Sequence, residues 1–584
     1  MSIIFIVLGM SALFYVAYRT YGAFLSKKVY ELNDKNVTPA VEMEDGLDYV
    51  PTEPKFLLGQ HFSAIAAAGP ITGPIIAGIA YGWVPALLWI LVGSIFIGGV
   101  HDMGALVASI RNKGRSITET VRMNVSKSAW ILFNLFVFVT LVSIVVAFTD
   151  VTTSSFVNAI DIGNGQMVGG GAIATSSLLY LALPIVMGLL LKYTKLPLGI
   201  ATIIFLPLVG VAIWVGQFIP FDLQQTLGLS SALEAQKVWN VLIMVYCLIA
   251  AILPVWMLLQ PRGHLGGYFL YAAVIVAAIG VLFGGFTVKY DAFKMPTGSN
   301  SFIFPMLPML FITVACGACS GFHSLVGSGT TSKQLKREGD AKVIGYGAML
   351  MEGVVAVIAL STVMILTKDS ELLTKSPNFV YASGIGAFMQ LIGVSPAFGI
   401  SFGLMAFTTF VYDTLDICTR LGRYIIQELT GWKGWFGRIV ATVITGGLPM
   451  FLVLITVKDA AGNPVPAWKV FWSTFGASNQ LLAALALIGI SIWLLNTAKN
   501  KKAWLYTFIP AVFMFLMSSW ALVRMFVTST VKNGVFAFPT DANMIIPIAS
   551  VIYLVLAVWM AVVTAQAVLA RKGGRLEQAP VGTD

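Results

Sequence analysis

Apolar segments long enough to cross a lipid bilayer follow one another along almost the whole chain. A helical span needs about 20 consecutive, mostly apolar residues, and fifteen segments fit this description. They are residues 2–18, 57–80, 83–109, 129–149, 172–191, 198–219, 239–259, 266–286, 303–327, 341–366, 396–412, 437–457, 470–496, 503–526 and 545–568. Because lipid offers the backbone no hydrogen-bond partner, such a chain folds as a helix bundle. We predict an all-α polytopic membrane protein with about 15 transmembrane helices. A further stretch, 379–394, is predicted as a short re-entrant or interfacial piece.

The charged residues support this class and indicate an orientation. They make up 11% of the 584 residues, against about 25% in soluble domains. Of the 36 Lys and Arg residues, 27 fall in the loops that follow odd-numbered segments or in the C-terminal tail. The positive-inside rule then places the N-terminus outside and the C-terminus in the cytoplasm. The net charge of +10 is thus explained by topology, so we expect no nucleic-acid partner.

The second apolar segment cannot form a continuous helix. It reads LLGQHFSAIAAAGPITGPIIAGIAYG and carries Gly69-Pro70 and Gly73-Pro74 in its middle. Each Pro removes an amide donor and clashes with the carbonyl four residues back, so we expect the backbone to unwind over residues 66–74. Broken backbone at membrane depth persists only inside protein or beside a wet cavity. The break is therefore a candidate binding site.

The ninth segment is interrupted in the same way, by Gly residues on both sides of His323 and Ser324. The triplet HFS at 61–63 resembles FHS at 322–324, and the two segments are seven apart, so they run in opposite directions. This is what an inverted repeat requires. We predict a first peripheral part, a first repeat, an inserted helix pair, a second repeat and a last peripheral part. These are residues 1–56, 57–219, 220–300, 301–497 and 498–584.

Six motifs, taken together, resemble the carbon starvation protein A family. They are TPAVEMEDGLDYVPT (38–52), GQHFSAIAAAGPITGP (59–74), WILVGSIFIGGVHDMGALVASIRNKGRSI (89–117), CGACSGFHSLVGSGTTSKQ (316–334), DTLDICTRLGRYIIQE (413–428) and FGASNQLLAALAL (475–487). The resemblance implies a five-plus-five inverted repeat with broken first and sixth core helices, here segments 2 and 9. It also implies a bacterial inner-membrane protein for uptake of small peptides or, in some members, of pyruvate with protons. The sequence departs from the family in QPRGHLGGY (260–268) and at Asp413.

We predict that substrate binds between the two breaks. Unwound helices expose amides that favour an anion and carbonyls that favour a cation. The predicted substrate residues, apart from two described next, are His61, Ala66, Ala67, Ala68, Gly69, Gly73, Gly317, Gly321, His323 and Ser324. His61 is placed at the cytoplasmic end of its helix, and it and His323 are equally plausible as structural residues. Asn479 and Gln480 are candidates for substrate contact or for hydrogen bonding between helices.

Ionisable groups inside the apolar segments are candidates for ion coupling. Glu352 lies near the middle of its segment, where a carboxyl can exchange a proton or make a neutral hydrogen bond. In the superfamily that the resemblance implies, the helix of segment 11 contributes to a sodium site, and the matching residues are Thr408, Thr409, Asp413, Thr414 and Asp416. A carboxylate there could instead exchange a proton. Asp416 is spaced to pair with Arg420, and Asp102 is expected to pair with a Lys or Arg or to take part in coupling.

We expect a secondary active transporter, not an enzyme, that imports a small carboxylate-bearing solute. No phosphate-binding loop of the G-x-x-x-x-G-K-[ST] type occurs, so an ion gradient, an exchange partner or another subunit must supply the energy. H⁺ or Na⁺ is the expected coupling ion, with no cofactor and no metal site beyond a sodium site. The alternatives are a membrane haem protein that uses His61, His101 and His323, or a channel. The oligomeric state is not predicted.

Overall fold

The computed structural model describes residues 1–46, 49–163, 165–194, 196–254, 256–294, 306–458, 462–532 and 534–572. The helices are α1 Ile3–Arg19, α2 Tyr21–Phe24, α3 Pro39–Glu42, α4 Pro54–Ile65, α5 Gly69–Tyr81, α6 Trp83–Gly93, α7 Gly99–Arg111, α8 Ile117–Asn124, α9 Lys127–Val157, α10 Gly171–Tyr193, α11 Leu198–Phe218, α12 Leu223–Leu227, α13 Ala232–Ile252, α14 Leu259–Phe283, α15 Met309–Thr313, α16 Gly321–Gly329, α17 Ala348–Met364, α18 Pro377–Gln390, α19 Pro396–Thr430, α20 Gly434–Leu454, α21 Ala467–Thr497, α22 Leu505–Thr530 and α23 Ile545–Lys572. Three antiparallel two-stranded hairpins, β1 Ala159–Asp161 with β2 Met167–Gly169, β3 Val457–Lys458 with β4 Pro464–Val465, and β5 Val531–Lys532 with β6 Val535–Phe536, lie between helices.

The helices confirm the predicted class of an all-α polytopic membrane protein. Among the described residues, 13 helices are long and apolar enough to cross a membrane. Four of them include short π- or 3₁₀-helical pieces. As a result, α1, α6–α7, α17 and α23 belong to spans Ile3–Val29, Trp83–Arg111, Glu338–Met364 and Ala542–Ala570. The pair α4 and α5 forms one further span, bent by 46° at its break.

The first break is shorter than the sequence indicates. Only residues 66–68 leave the helix, and α5 resumes at Gly69 with Pro74 inside it. The expectation that unwinding would reach residue 74 is therefore wrong. Pro70 lies in the first turn of α5, where an amide would lack a helical partner in any case, so it begins this helix and does not break it.

The ninth predicted segment is interrupted as expected. Within the described residues it consists of α15 and α16, joined by extended and turn backbone over residues 314–320. Residues 303–305 of this segment lie outside the described residues.

Some predicted segment ends are wrong because polar residues inside helices were taken for loop residues. The first span reaches Val29 and not residue 18. Segment 11 was expected to end at residue 412, but α19 continues to Thr430, which places Asp413 at its middle. His61 lies one turn before the first break and not at the start of α4.

The long helices α9, α19 and α21 form the centre of the bundle. The helix α9 packs against both α19 and α21, and the two breaks lie beside them through contacts of α4 with α19 and of α16 with α21. Peripheral helices such as α1, α11 and α23 are mostly exposed, and their apolar side chains suit contact with lipid. The predicted piece at 379–394 is α18, a buried helix that packs against α14 and α19.

Candidate functional site

The two helix breaks touch each other. A Cβ atom on Gly69 would lie 2.3 Å from the Cys316 sulfur, and one on Gly73 would lie 2.5 Å from the Thr313 carbonyl oxygen. The first break, Ala66 to Ala68, is buried. Only glycine allows this approach. The structure thus brings the predicted substrate segments into direct contact at these two glycines.

Side chains from two other helices satisfy the unwound backbone of the second break. The Trp89 indole N–H donates to the Val314 carbonyl at 3.1 Å, and the Ser94 hydroxyl donates to the Gly317 carbonyl at 3.1 Å. The Gln480 amide N–H₂ lies 3.3 Å from the Cys319 carbonyl oxygen. These contacts explain how non-helical backbone persists at this depth.

Asn479 holds the start of α16. Its Oδ1 accepts from the Phe322 backbone N–H at 3.0 Å, and its Nδ2 donates to the Ser320 hydroxyl at 3.0 Å. A Cβ atom on Gly321 would lie 2.5 Å from the Asn479 carbonyl oxygen, so α16 and α21 pack closely. In this conformation Asn479 and Gln480 make hydrogen bonds between elements, which is one of the two roles expected for them.

A cavity of about 800 Å³ opens beside the first break. Four cationic side chains line it, with His264 and several aromatic rings, and no acidic residue is among its described lining. The cations are Lys55, Lys192, Lys333 and Arg420. We call this space the basic cavity. Its lining comes from segment ends that carry most of the Lys and Arg, which the positive-inside rule places in the cytoplasm.

The cations of the basic cavity have no carboxylate within ion-pair distance among the described residues. None of the four makes an ion pair with any other described residue. Lys192 and Lys333 lie over the rings of Trp256 and Tyr49. Arg420 donates to the Ala250 and Leu253 carbonyls at the end of α13, at 2.8 and 2.9 Å. The predicted pair of Arg420 with Asp416 is therefore wrong, because Arg420 points to a helix end that attracts a cation.

A smaller cavity of about 40 Å³ lies near the basic cavity and shares Gln60, Leu259, Thr330 and Gln334 with it. We call it the inner cavity. His61, Val326 and Asp413 line it. The His61 Nδ1 lies 2.8 Å from the Thr331 hydroxyl, which joins the first broken helix to the end of the second. Two groups predicted for substrate and ion binding therefore meet at this inner cavity.

Asp413 and Asp416 are both engaged by Arg262, which is fully buried. The Arg262 Nε donates to Asp413 Oδ1 at 2.8 Å, and its Nη1 lies 2.5 Å from Asp416 Oδ2. The Tyr246 hydroxyl donates to Asp416 Oδ2 at 3.1 Å and contacts Arg262, and the Ser63 hydroxyl donates to Asp413 Oδ2 at 2.8 Å. We call these five residues the Arg262 cluster. It links α13, α14 and α19 to the first broken helix.

The three threonines of the sodium-site prediction are buried but do not converge with these carboxylates. The Thr408 and Thr414 hydroxyls donate to carbonyls one turn back in α19, those of Leu404 and Phe410. The Thr409 hydroxyl has no hydrogen bond in the described part of the chain. The sodium-site set therefore remains a prediction, with its two carboxylates occupied by a guanidinium in this conformation.

The remaining ionisable candidates form a second buried group. The His101 Nδ1 lies 2.7 Å from Asp102 Oδ1, and the His323 Nδ1 lies 2.8 Å from Asp102 Oδ2. The His323 Nε2 lies 3.3 Å from Glu352 Oε2. The expectation that a Lys or Arg pairs with Asp102 is wrong, since two histidines surround it. Ser324 is not part of this group, because its hydroxyl donates to the Gly321 carbonyl within α16.

Sequence reasoning missed Arg262 and the basic cavity. The predicted segments 239–259 and 266–286 leave Arg262 in the loop between them, whereas α14 begins at Leu259. The available signal was its place in QPRGHLGGY, where the chain departs from the family pattern. The lining of the basic cavity comes from segment ends far apart in sequence, so no local pattern marks it.

Comparison with known proteins gives the family. The sequence model of the family described as Carbon starvation protein CstA matches residues 1–380 and 368–521. The peptide transporter CstA of Bacillus subtilis is 30% identical over 567 residues, which cover 89% of this chain and 90% of that protein. The pyruvate/proton symporter BtsT of Escherichia coli is 29% identical over 618 residues, which cover 92% and 83%. A solved manganese transporter of Eremococcus coleocola covers 91% of this chain and 99% of its own, with 12% identity and a TM-score of 0.47.

The family model and the two sequence relatives confirm the resemblance drawn from the six motifs, and these relatives are named as transporters and not as enzymes. The chain belongs to the carbon starvation protein CstA family.

Proposed function

We propose that the protein is a secondary active transporter that imports a small carboxylate-bearing solute by ion-coupled alternating access. The candidates are a short peptide, pyruvate or an amino acid. Family membership favours a transporter over the haem protein and the channel. The observation that carries the proposal is the basic cavity, which lies beside the broken helix α4.

The charge of the basic cavity favours a carboxylate. A cleft lined by charges of one sign attracts counter-ions and raises their local concentration. Four cations without ion-pair partners in the described residues make the cavity attractive to an anion. Its aromatic residues, such as Trp256, Tyr268 and Tyr271, can contact the apolar part of the same solute. In this conformation the cavity is open towards the predicted cytoplasmic side, and we interpret it as the exit path.

Alternating access requires the two breaks to part, since they now touch. Such a movement would shift the two repeats relative to each other. The helix packing indicates that the first repeat contains other helices than the ones within the predicted range 57–219. Helices α13 and α20 correspond, because each packs on both α9 and α19. Helices α14 and α21 correspond as well, because α14 packs on α4 and α18 and α21 packs on α16 and α8. We therefore assign α13 and α14 to the first repeat and treat α10 and α11 as its insertion.

A proton is the coupling ion that we propose. Asp413 and Asp416 are held by Arg262, and a sodium ion there would lie beside a guanidinium. A relative that covers most of the chain is named a pyruvate/proton symporter. An ion couples to transport only if it binds one conformation more tightly than the other. A proton on a buried carboxyl meets this condition, because it alters which hydrogen bonds the group can make.

Uptake into proteoliposomes tests the proposal. Labelled pyruvate, alanine and alanyl-alanine are supplied outside, with an imposed proton gradient, an imposed sodium gradient or neither. We expect at least one solute to accumulate above its external concentration under the proton gradient and not under the sodium gradient. Accumulation with sodium alone would contradict proton coupling. Absence of saturable uptake of all three solutes would contradict import of small carboxylates.

A charge change in the basic cavity tests the proposed path. Lys333→Gln should raise the KM for the transported solute about 3- to 10-fold with little change in maximal rate, because it removes one attractive charge. Lys532→Gln is the matched control, since Lys532 is exposed in strand β5 and is not part of the cavity lining. Equal KM values for the wild type and Lys333→Gln would argue against the cavity as the path.

A further inference from the structure

Four buried titratable residues from three helices are joined in one chain of contacts. His101 and Asp102 lie on α7, His323 lies on α16, and Glu352 lies on α17. Their side chains are at most 1% exposed. We call them the tetrad. No Lys or Arg lies within ion-pair distance of any of the four in the described part of the chain.

The hydrogen bonds of the tetrad fix where its protons lie. An ionised carboxylate only accepts hydrogen bonds, so both histidines must carry a proton on the Nδ1 that faces Asp102. His323 Nε2 then faces Glu352 Oε2 at 3.3 Å, and neither atom has a hydrogen bond within the described residues. Two bare lone pairs would repel each other at this distance. One of these two atoms must therefore carry a proton.

This arrangement leaves one negative charge to be neutralised. Asp102 is negative, His101 is neutral, and His323 and Glu352 with one shared proton are neutral together. The tetrad as a whole then carries a charge of −1. One further proton, taken up by the His323–Glu352 pair, makes it neutral. A buried net charge is costly, so the tetrad is built to take up one proton and to release it only when its surroundings change.

The neighbouring titratable groups do not neutralise this charge. The Tyr30 hydroxyl donates to the Val100 carbonyl at 2.7 Å. The Cys316 and Cys319 thiols are buried in the second break. His61, on α4, is bonded through Nδ1 to Thr331. None of these groups makes an ion pair or a hydrogen bond to the tetrad within the described residues.

The tetrad is placed to sense the transport path. His323 lies in the first turn of α16, and the end of the same short helix lines the inner cavity through Val326 and Thr330. A solute that contacts the residues lining this cavity and a proton on the tetrad would therefore act on the same half-helix. When α16 moves, the distance from His323 to Asp102 and Glu352 changes, and with it the affinity for the proton.

We propose that His101, Asp102, His323 and Glu352 form the proton-binding site that couples the proton gradient to solute movement. The proposal rests on the proposed function and deepens it. In one cycle the tetrad takes one proton from the outer aqueous phase and releases it to the cytoplasm, with no other bond made or broken. Asp413 and Asp416, by contrast, stay paired with Arg262.

The first test compares accumulation with exchange. In proteoliposomes, Glu352→Gln keeps the size of the side chain but cannot release a proton. A pH gradient of one unit can sustain a solute ratio of about tenfold for one proton per solute. We expect the wild type to approach this ratio with the solute it transports, and Glu352→Gln to stop at a ratio of one. Exchange of labelled for unlabelled solute, which needs no net proton movement, should stay within about twofold of the wild type.

Glu338→Gln is the matched control. Glu338 is also a buried glutamate, but it accepts from Arg111 Nε at 2.6 Å and lies outside the tetrad. This variant should still accumulate solute. If Glu352→Gln accumulates solute as the wild type does, the tetrad is not the coupling site. If the wild type neither accumulates nor exchanges pyruvate, alanine or alanyl-alanine, the proposed function fails for these solutes.

A second test does not depend on transport. The chain contains only four histidines, so ¹⁵N-histidine NMR of the purified protein can resolve each ring, with His323→Gln for assignment. We expect protons on Nδ1 of His101 and His323, and a changed His323 Nε2 resonance in Glu352→Gln. The His264 resonances, from a ring bonded to Thr202, should not change. A His323 ring that carries no proton on Nδ1, or that does not respond to Glu352→Gln, would overturn the proposal.

Discussion

Replacing Arg262 with Gln should destabilise the protein strongly. The substitution leaves Asp413 and Asp416 buried one turn apart on α19 without their cation. It also removes the donor to the Tyr412 carbonyl at 3.0 Å. Breaking a buried ion pair from one side costs about 3–5 kcal/mol, because the remaining charge has no compensation. The change in the unfolding midpoint per kcal/mol of lost stability is smaller in longer chains and is roughly 1 °C for this one. The midpoint of Arg262→Gln should therefore be about 3–5 °C below that of the wild type.

The assay is thermal unfolding in detergent, followed through the fluorescence of the 14 tryptophans. Lys336→Gln is the control, since Lys336 forms an exposed pair with Glu53 at 2.6 Å, and such pairs contribute about 0–1 kcal/mol. Asp416→Asn should cost less than Arg262→Gln, because it leaves one carboxylate facing one guanidinium. An unchanged midpoint in Arg262→Gln, or a larger loss in Asp416→Asn, would refute this account of the cluster.

Three further predictions concern the breaks and the predicted cytoplasmic surface. Gly69→Ala should cost about 1–3 kcal/mol, measured as above, because its Cβ would lie 2.3 Å from the Cys316 sulfur; Cys316→Gly should recover part of the loss. Asn479→Ala should cost about 1–2 kcal/mol, because it removes the cap of α16, and Asn479→Asp should cost less. Lys336 lowers the pKa of the exposed Glu53 carboxyl through a hydrogen bond and its charge. The pair therefore stabilises the fold at pH values above the ordinary carboxyl pKa. This stabilisation is lost as the pH falls through the lowered pKa of Glu53. NMR titration should show the Glu53 pKa rising in Lys336→Gln.

The class of fold could be predicted from the sequence because length and apolarity alone decide whether a helix can span a bilayer. The ends of several helices could not be predicted. Asp413 is predicted at the end of a helix and Arg262 falls between predicted segments, although each lies inside a helix where the other stabilises it. Their positions are 151 residues apart in sequence, so no local pattern shows that the two charges compensate.

The same limit applies to the site. Gly and Pro marked the first break, and rare intramembrane charges marked Asp102, His323 and Glu352 as candidates. Their contacts with one another, such as the one between His323 and Asp102 across 221 residues, depend on the packing of α7, α16 and α17. The sequence therefore marks candidate residues but does not show which of them contact one another.

Thiol labelling from one side of the membrane tests the central claim, that solute passes through the basic cavity to the cytoplasm. The four native cysteines are buried, so the wild type should react little. Gln60 lines both cavities, and Gln60→Cys should react with an impermeant maleimide supplied on the cytoplasmic side, more slowly when the transported solute is present. Lys532→Cys, the control, should react only from the outside. Labelling of Gln60→Cys from the outside alone, or at a rate that the solute does not change, would contradict the account.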